Sequence, residues 1–154
     1  KRHGAMTGRV APGGLIHTGG SVVDTASDAT QLETPQTLSF PSLVLGGHRA
    51  PVCSAAWLGE SQVLTGSHDC TAKVWDAKSG YCEQTLEGHE GPVLCVCSDG
   101  DRVLTSSSDR TARLWDLSTG SCERVLSHNG PVVSASFSPQ GDKVLTASSD
   151  RTAR

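Results

Sequence analysis

A hydroxyl, an imidazole and a carboxylate recur along this 154-residue chain at a spacing that invites chemistry. His48, His89 and His128 are evenly set along it, and Asp69, Asp109 and Asp150 follow at the same interval, roughly 40 residues, a repeat-sized period. Serine and threonine side chains precede each aspartate. A nucleophile, a base and an orienting carboxylate are the parts of a hydrolase triad. The same constellation, however, returns in each copy, twice beside a tryptophan, Trp75 and Trp115, which keep that interval too. A catalytic site has no reason to be built once per repeat, so the set is read as structural and no catalytic residue is assigned.

The cysteines suggest little more chemistry. Cys53, Cys82, Cys95, Cys97 and Cys122 all fall inside apparent strands, as small buried hydrophobes of a reducing compartment do. This places the protein inside the cell, cytoplasmic or nuclear. No Cys-x-x-Cys pair begins a zinc ligand set, so no metal is expected. A net charge of −3 gives no bulk attraction to nucleic acid or anionic lipid, and neither partner is expected. Runs such as Leu43–Leu45 and Val93–Cys97 are strand length, far short of the roughly 18 apolar residues of a membrane span. The opening KRHGAMTGRVAPGG lacks the apolar centre of a signal peptide. There is no Gly-x-x-x-x-Gly-Lys phosphate loop, and no cofactor is expected.

The elements that position these residues follow from the repeat. GSHDCTAKVWDAKSGYCEQTLEGH at 66–89 returns largely as SSSDRTARLWDLSTGSCERVLSH at 106–128. A period of about 40 residues belongs to solenoids and propellers. In the copy beginning at His48, four runs alternate in the manner of strands: Val52–Trp57, Gln62–Ser67, Thr71–Asp76 and Cys82–Leu86. Connections this short pair neighbours antiparallel, so each copy is a four-stranded meander. No sustained 3.6-residue apolar stripe predicts a helix. A sheet apolar on both faces must stack on its neighbours, and the class is all-β.

The Gly-His pairs at 47–48 and 88–89, SHDCTAKVWD at 67–76 and SSDRTARLWD at 107–116 resemble the WD40-repeat family over about 42–154. The resemblance implies a fragment of a β-propeller, each copy one antiparallel blade. It also implies a hydrogen-bonded chain in each blade: His48, Thr65 or Ser67, Asp69 and Trp75; then His89, Thr105 or Ser107, Asp109 and Trp115. The third copy contributes His128, Thr146 and Asp150, with its Gly-His changed to Ser-His, and the chain stops at Arg154 before a third Trp-Asp. The sequence therefore reads as part of something larger, with the remaining blades absent. Fewer than four blades cannot close a ring, so strand edges and apolar faces are expected at the surface.

The expected organisation is a Gly-rich flexible linker at 1–20, a degenerate partial repeat at 21–47, repeats at 48–88 and 89–127, and a truncated repeat at 128–154. Asp28 precedes His48 at the same distance at which Asp69 precedes His89, but Thr34 and Pro35 stand where the tryptophan belongs. Function must then sit on exposed loops. By resemblance, partners dock on the rim carrying Arg49, Glu90 and Asn129 after each histidine, His68, Ser108 and Ser149 before each aspartate, and Arg110 and Arg151 after it. Glu60, Asp99, Asp101 and Asp142 fall on the opposite rim, which gives the two rims opposite charge. The reading is a non-catalytic scaffold or peptide-recognition module for other proteins, with an acidic or phosphorylated peptide suited to the arginines. The alternative is a regulatory or substrate-receptor domain serving an enzyme such as an NTPase or ubiquitin ligase.

Overall fold

The computed structural model describes residues 42–154, and the expectations for 1–20 and for most of 21–47 lie outside them. Ten strands follow in chain order: β1 Val52–Leu58, β2 Gln62–Ser67, β3 Ala72–Asp76, β4 Cys82–Leu86, β5 Val93–Ser98, β6 Arg102–Ser107, β7 Thr111–Asp116, β8 Cys122–Ser127, β9 Val132–Phe137 and β10 Val144–Ser148. The order β1-β2-β3-β4 makes one antiparallel sheet, β5-β6-β7-β8 a second, and β9 with β10 a third. Residues beyond β10 begin to pair with it, through the bridge between Ala147 and Ala153. The described part is all-β, built of propeller-type blades in a ring that is not closed.

Short polar turns impose this meander. After β3 and β7, Asp76 and Asp116 accept hydrogen bonds from the turn that follows: Ser79 N reaches Asp76 Oδ1 at 2.6 Å and Thr119 N reaches Asp116 Oδ1 at 2.8 Å. Gly80 and Gly120 complete these turns at φ 75° and 71°, backbone that glycine adopts without steric cost. The register is the same in both complete sheets. Val63 opposes Trp75 and Thr65 opposes Lys73, as Val103 opposes Trp115 and Thr105 opposes Arg113. A bulge falls at the same place in each, between Val74 and Trp75 and between Leu114 and Trp115.

Neither β2 nor β6 alternates between buried and exposed, because both faces are covered; Arg102 apart, every residue of β6 is buried. Leu64, Val74 and Leu86 of the first sheet pack against Val93, Val96, Val103 and Trp115 of the second. Leu104 and Ala112 of the second meet Val132 and Ala135 of the third. Gly66 lies under β5, where a Cβ would meet Val96 Cγ1 at 2.7 Å and Val93 Cγ1 at 2.8 Å. Stacking therefore forbids any side chain at that position of β2.

Candidate functional site

Each blade holds one buried polar chain. His48 lies in the loop entering β1, with Nδ1 2.8 Å from Asp69 Oδ2 and Nε2 2.7 Å from Thr65 Oγ1. Trp75 Nε1–H donates to the same Thr65 oxygen at 2.7 Å. The second blade repeats this: His89 Nδ1 to Asp109 at 2.7 Å, Nε2 to Thr105 at 2.7 Å, and Trp115 Nε1–H to Thr105 at 2.9 Å. In the third, His128 contacts Asp150 at 3.3 Å and Thr146 at 2.8 Å, and Thr146 Oγ1 donates to Arg154 O at 3.3 Å.

Of the two candidate hydroxyls, the threonine joins the chain to tryptophan. Ser67 instead donates to Ala50 O at 3.0 Å and accepts from Asp69 N at 3.1 Å. Ser107 does the same with Gly91 O at 2.9 Å and Asp109 N at 3.0 Å. Both serines thus stand beside the chain and tie the aspartate turn to the histidine loop. The sequence reading missed Thr71, Thr111 and Thr152, each donating at 2.7 Å to Oδ1 of its aspartate. Their signal was available, since a threonine follows each of the three aspartates by two positions.

The bonding pattern sets the protonation state. Indole N–H can only donate, so Thr105 accepts from Trp115 and is free to donate its own proton to His89 Nε2. Nδ1 then carries the ring proton and donates to Asp109. Burial pushes the His89 pKa down, against the raising effect of Asp109 and with help from the Arg113 charge. For Asp109, burial alone would raise the pKa, but hydrogen bonds from Thr111, His89 and Glu90 outweigh it and bring it to about 2. Asp69 is held well below the usual carboxylate range in the same way, its bonds from Thr71, Arg49 and His48 outweighing burial.

Both kinds of shift make the fold acid-sensitive. A histidine kept neutral contributes stability above its ordinary value, near 6.5, that is lost as pH falls through its lowered folded value. Asp109 contributes stability above about 4 that is lost as pH falls through about 2. The urea midpoint is expected to fall in two stages on acidification from pH 7, the first from about pH 6.5 downward and the second between about pH 4 and 2. A midpoint that rises between pH 7 and 5 would mean a charged imidazole and contradict this arrangement.

The rim residues gather as the turns dictate. Arg49 N, Glu90 N and Asn129 N donate to Asp69, Asp109 and Asp150 at 2.9, 3.1 and 3.0 Å. His68 N, Ser108 N and Ser149 N donate to Pro51 O, Pro92 O and Pro131 O at 2.9, 3.0 and 2.9 Å. These bonds hold the β2–β3-type turn of each blade against its histidine loop, so both groups share one rim. Arg49, His68, Glu90, Arg110, Asn129, Ser149 and Arg151 are exposed, and Ser108 is half-buried. On the opposite rim the expected acidic character is diluted. Arg102 pairs with Asp99, donates to Gly141 O at 2.6 Å and lies 5.5 Å from the Phe137 ring centre, while Lys143 sits 3.8 Å from Asp142. The charge contrast between rims is therefore weaker than the sequence implied.

Among the described residues, no group of three or more His, Cys, Asp or Glu side chains is placed to hold a metal, and no helix is long and apolar enough to cross a membrane.

The profile of the WD40 family, described as WD domain, G-beta repeat, matches residues 39–76, 80–116 and 120–154, and the chain belongs to this family. Each matched unit ends at or near the Trp-Asp position, a different phase from units that begin at histidine. The chain is 60% identical over 37 residues to human WD repeat-containing protein 86, covering 24% of this chain and 10% of that protein. It is 38% identical over 88 residues to nuclear distribution protein nudF of Aspergillus flavus, covering 53% of this chain and 19% of that protein. A stretch of 70 residues is 37% identical to mitogen-activated protein kinase kinase kinase A of Dictyostelium discoideum, covering 44% of this chain and 7% of that protein. Among solved structures, the WD40 β-propeller domain of Doa1 superposes with a TM-score of 0.66 at 28% identity, covering 70% of this chain and 37% of that one. The chain thus spans a fifth or less of these curated relatives' length. WD40 domains are in general non-catalytic modules that bind other proteins.

Proposed function

We propose that this chain is a non-catalytic recognition module whose histidine-loop rim takes an acidic or phosphorylated peptide of a partner protein. The observation carrying this reading is the state of two arginines. Arg110 and Arg151 stand at the same place in successive turns, at φ 73° and 72°, both exposed. No carboxylate pairs with them among the described residues. Left-handed backbone costs a non-glycine residue about 1–2 kcal/mol, so the side chain is kept where glycine would be cheaper. Guanidinium forks bind carboxylate and phosphate bidentately, which suits them to such a ligand. The blade tetrads are assigned a structural role; the cysteines, expected as buried hydrophobes, are not fully buried, Cys53 being exposed and the other five half-buried.

The test replaces both arginines, once by glutamate and once by glycine, in the intact protein. Capture of a polyglutamate peptide and of a phosphothreonine peptide, followed by fluorescence anisotropy, is expected to fall at least tenfold in both and to lose its salt dependence. The melting temperature should stay level for the glutamate pair and hold or rise for the glycine pair, whose turns are relaxed. Undiminished binding would remove this rim from consideration.

A second reading, a regulatory or substrate-receptor domain serving an enzyme such as an NTPase or ubiquitin ligase, is favoured by the likeness to a stretch of a protein named as a kinase. An activity that co-purifies with the intact protein and disappears on charge reversal of the rim would select it.

A further inference from the structure

The chain contains a single asparagine, Asn129, and the residue after it is Gly130. This pair can react with itself, because attack of the Gly130 nitrogen on the Asn129 side-chain amide carbon closes a five-membered ring. With no Cβ on the glycine, nothing of its own crowds the attacking nitrogen. Asparagine is among the thermolabile residues. The equivalent residues entering the first two blades are Arg49 and Glu90, which carry no amide, so the chemistry is confined to the third histidine loop.

Asn129 is exposed, and among the described residues neither its side-chain amide nor the Gly130 N–H has a hydrogen-bond partner. The bonds that hold this loop use other atoms: Asn129 N donates to Asp150 Oδ2 at 3.0 Å, and Ser148 Oγ donates to Gly130 O at 2.9 Å. Packing itself calls for glycine at 130, since a Cβ there would meet Asp150 N at 3.0 Å. Asp99, which precedes Gly100, offers the contrast. It is a carboxylate, and Arg102 holds both of its oxygens, through N at 3.1 Å and through Nη2. The place of the Asn129 loop gives the reaction a consequence. His128 N donates to Arg110 O at 2.9 Å, and Asp150, which accepts from Asn129 N, immediately precedes Arg151. Asn129 is thus fixed between the turns that carry the two unpaired arginines.

We propose that Asn129 is a deamidation site, and that the aspartate formed there screens Arg110 and Arg151 from an acidic partner. Hydroxide removes the Gly130 N–H proton, the nitrogen attacks Asn129 Cγ, and the tetrahedral adduct expels the amide nitrogen as ammonia, leaving a succinimide ring. Water then opens the ring. Attack at Cγ gives aspartate on an unaltered main chain; attack at the Asn129 main-chain carbonyl gives isoaspartate, which lengthens the main chain by one methylene. The net change turns one amide and one water into one carboxylate and one ammonium ion, with nothing oxidised or reduced. Aspartate is the product the folded loop seats, because Gly130 is pressed against the Asp150 turn. Its added negative charge offsets part of the attraction that the two guanidinium groups have for carboxylate or phosphate. The screening rests on the acidic-ligand reading of this rim, whereas the chemistry at Asn129 stands without it.

The test incubates the full chain in mildly alkaline heavy-oxygen water at physiological temperature and follows it by mass spectrometry after tryptic digestion. Residue 129 is expected to gain three mass units, one heavy oxygen with its proton replacing the amide nitrogen, at a rate within tenfold of that in the free tryptic peptide 125–143. Gly130→Ala should slow the gain more than tenfold by crowding the nitrogen. Because that methyl also presses on Asp150, Asn129→Gln is read beside it: its longer side chain needs a six-membered ring, and the gain should slow as much. A wild-type chain more than tenfold slower than the free peptide, or a glutamine variant as fast as wild type, would overturn the site. Asn129→Asp then supplies the product directly. It should weaken capture of the phosphothreonine peptide about threefold, the scale of one exposed charge interaction, with the difference vanishing at high salt and the melting temperature level. Capture equal to wild type would overturn the screening. A wild type that captures no acidic peptide would instead overturn the acidic-ligand reading, and the mass gain at residue 129 would still decide the site.

Discussion

Replacing Trp115 by alanine is expected to destabilise the chain by about 4 kcal/mol, within the range for deleting a large buried aromatic ring. Two losses combine in this figure. Trp115 is 2% exposed and belongs to the apolar cluster joining the first two blades, so its ring supports both its own sheet and the stacking. Its N–H also satisfies Thr105 Oγ1, at 2.9 Å. Trp115→Phe separates the two, since it keeps most of the ring volume while removing the donor. That variant is expected to lose about 1–2 kcal/mol. Urea unfolding of both variants, followed by far-ultraviolet dichroism, makes the comparison. If alanine costs no more than phenylalanine, the packing account is wrong.

Asp109→Ala carries the second large effect, about 3 kcal/mol. The carboxylate accepts from four donors: His89 Nδ1 at 2.7 Å, Glu90 N at 3.1 Å, Thr111 N at 2.8 Å and Thr111 Oγ1 at 2.7 Å. Water can replace some of these at the rim, but the His89 ring is buried and keeps only the longer contact to Thr111 Oγ1, at 3.3 Å, for its Nδ1 proton. Removing one member of a buried polar network leaves its partners desolvated and unpaired, which costs more than the bond was worth. The variant should also lose part of the steep fall in stability between about pH 4 and 2, because the group that titrates there is gone. Unchanged stability with loss of a chemical turnover would reverse the structural assignment of the His-Asp pair and restore the hydrolase reading.

The two tryptophans show how closely the repeat prescribes chemistry. His48 lies edge-on to Trp75 with ring centres 5.8 Å apart, and His89 lies edge-on to Trp115 at 6.2 Å. Gly47 and Gly88 each precede a histidine: a Cβ at Gly47 would meet Trp75 Cη2 at 3.1 Å, and one at Gly88 would meet Arg113 Nη1 at 2.8 Å, with Trp115 Cη2 next at 3.4 Å. In the first blade the glycine admits the ring, and in the second it chiefly leaves room for the Arg113 guanidinium. Gly88 sits at φ 144°, a second reason for glycine there.

Much of this was legible in the one-dimensional pattern. The repeat period, short turns and β-type alternation led to antiparallel four-stranded units, and the resemblance to WD40 repeats implied which histidine, hydroxyl, aspartate and tryptophan meet. The units follow from local rules: strand alternation has period two, and short connections permit only antiparallel neighbours. Thr65 and Ser67, by contrast, are two apart on one strand and share a face, so alternation could not choose between them. The height of the histidine loop above β2 decided, placing Nε2 at Thr65 and leaving Ser67 to the turn. The acidity of the far rim is likewise diluted in a way the pattern did not show, because Arg102 folds back on Asp99 and bridges to Gly141 in the next blade, a contact between segments distant in the chain. Exposure was the least legible of all. Leu64, Leu104 and Leu145 occupy one place in three copies of one pattern, yet the first two are fully buried and the third is 57% exposed. Sequence determined that each of these faces is apolar; whether water or another sheet meets it depends on the neighbour stacked against it, which only the tertiary arrangement supplies.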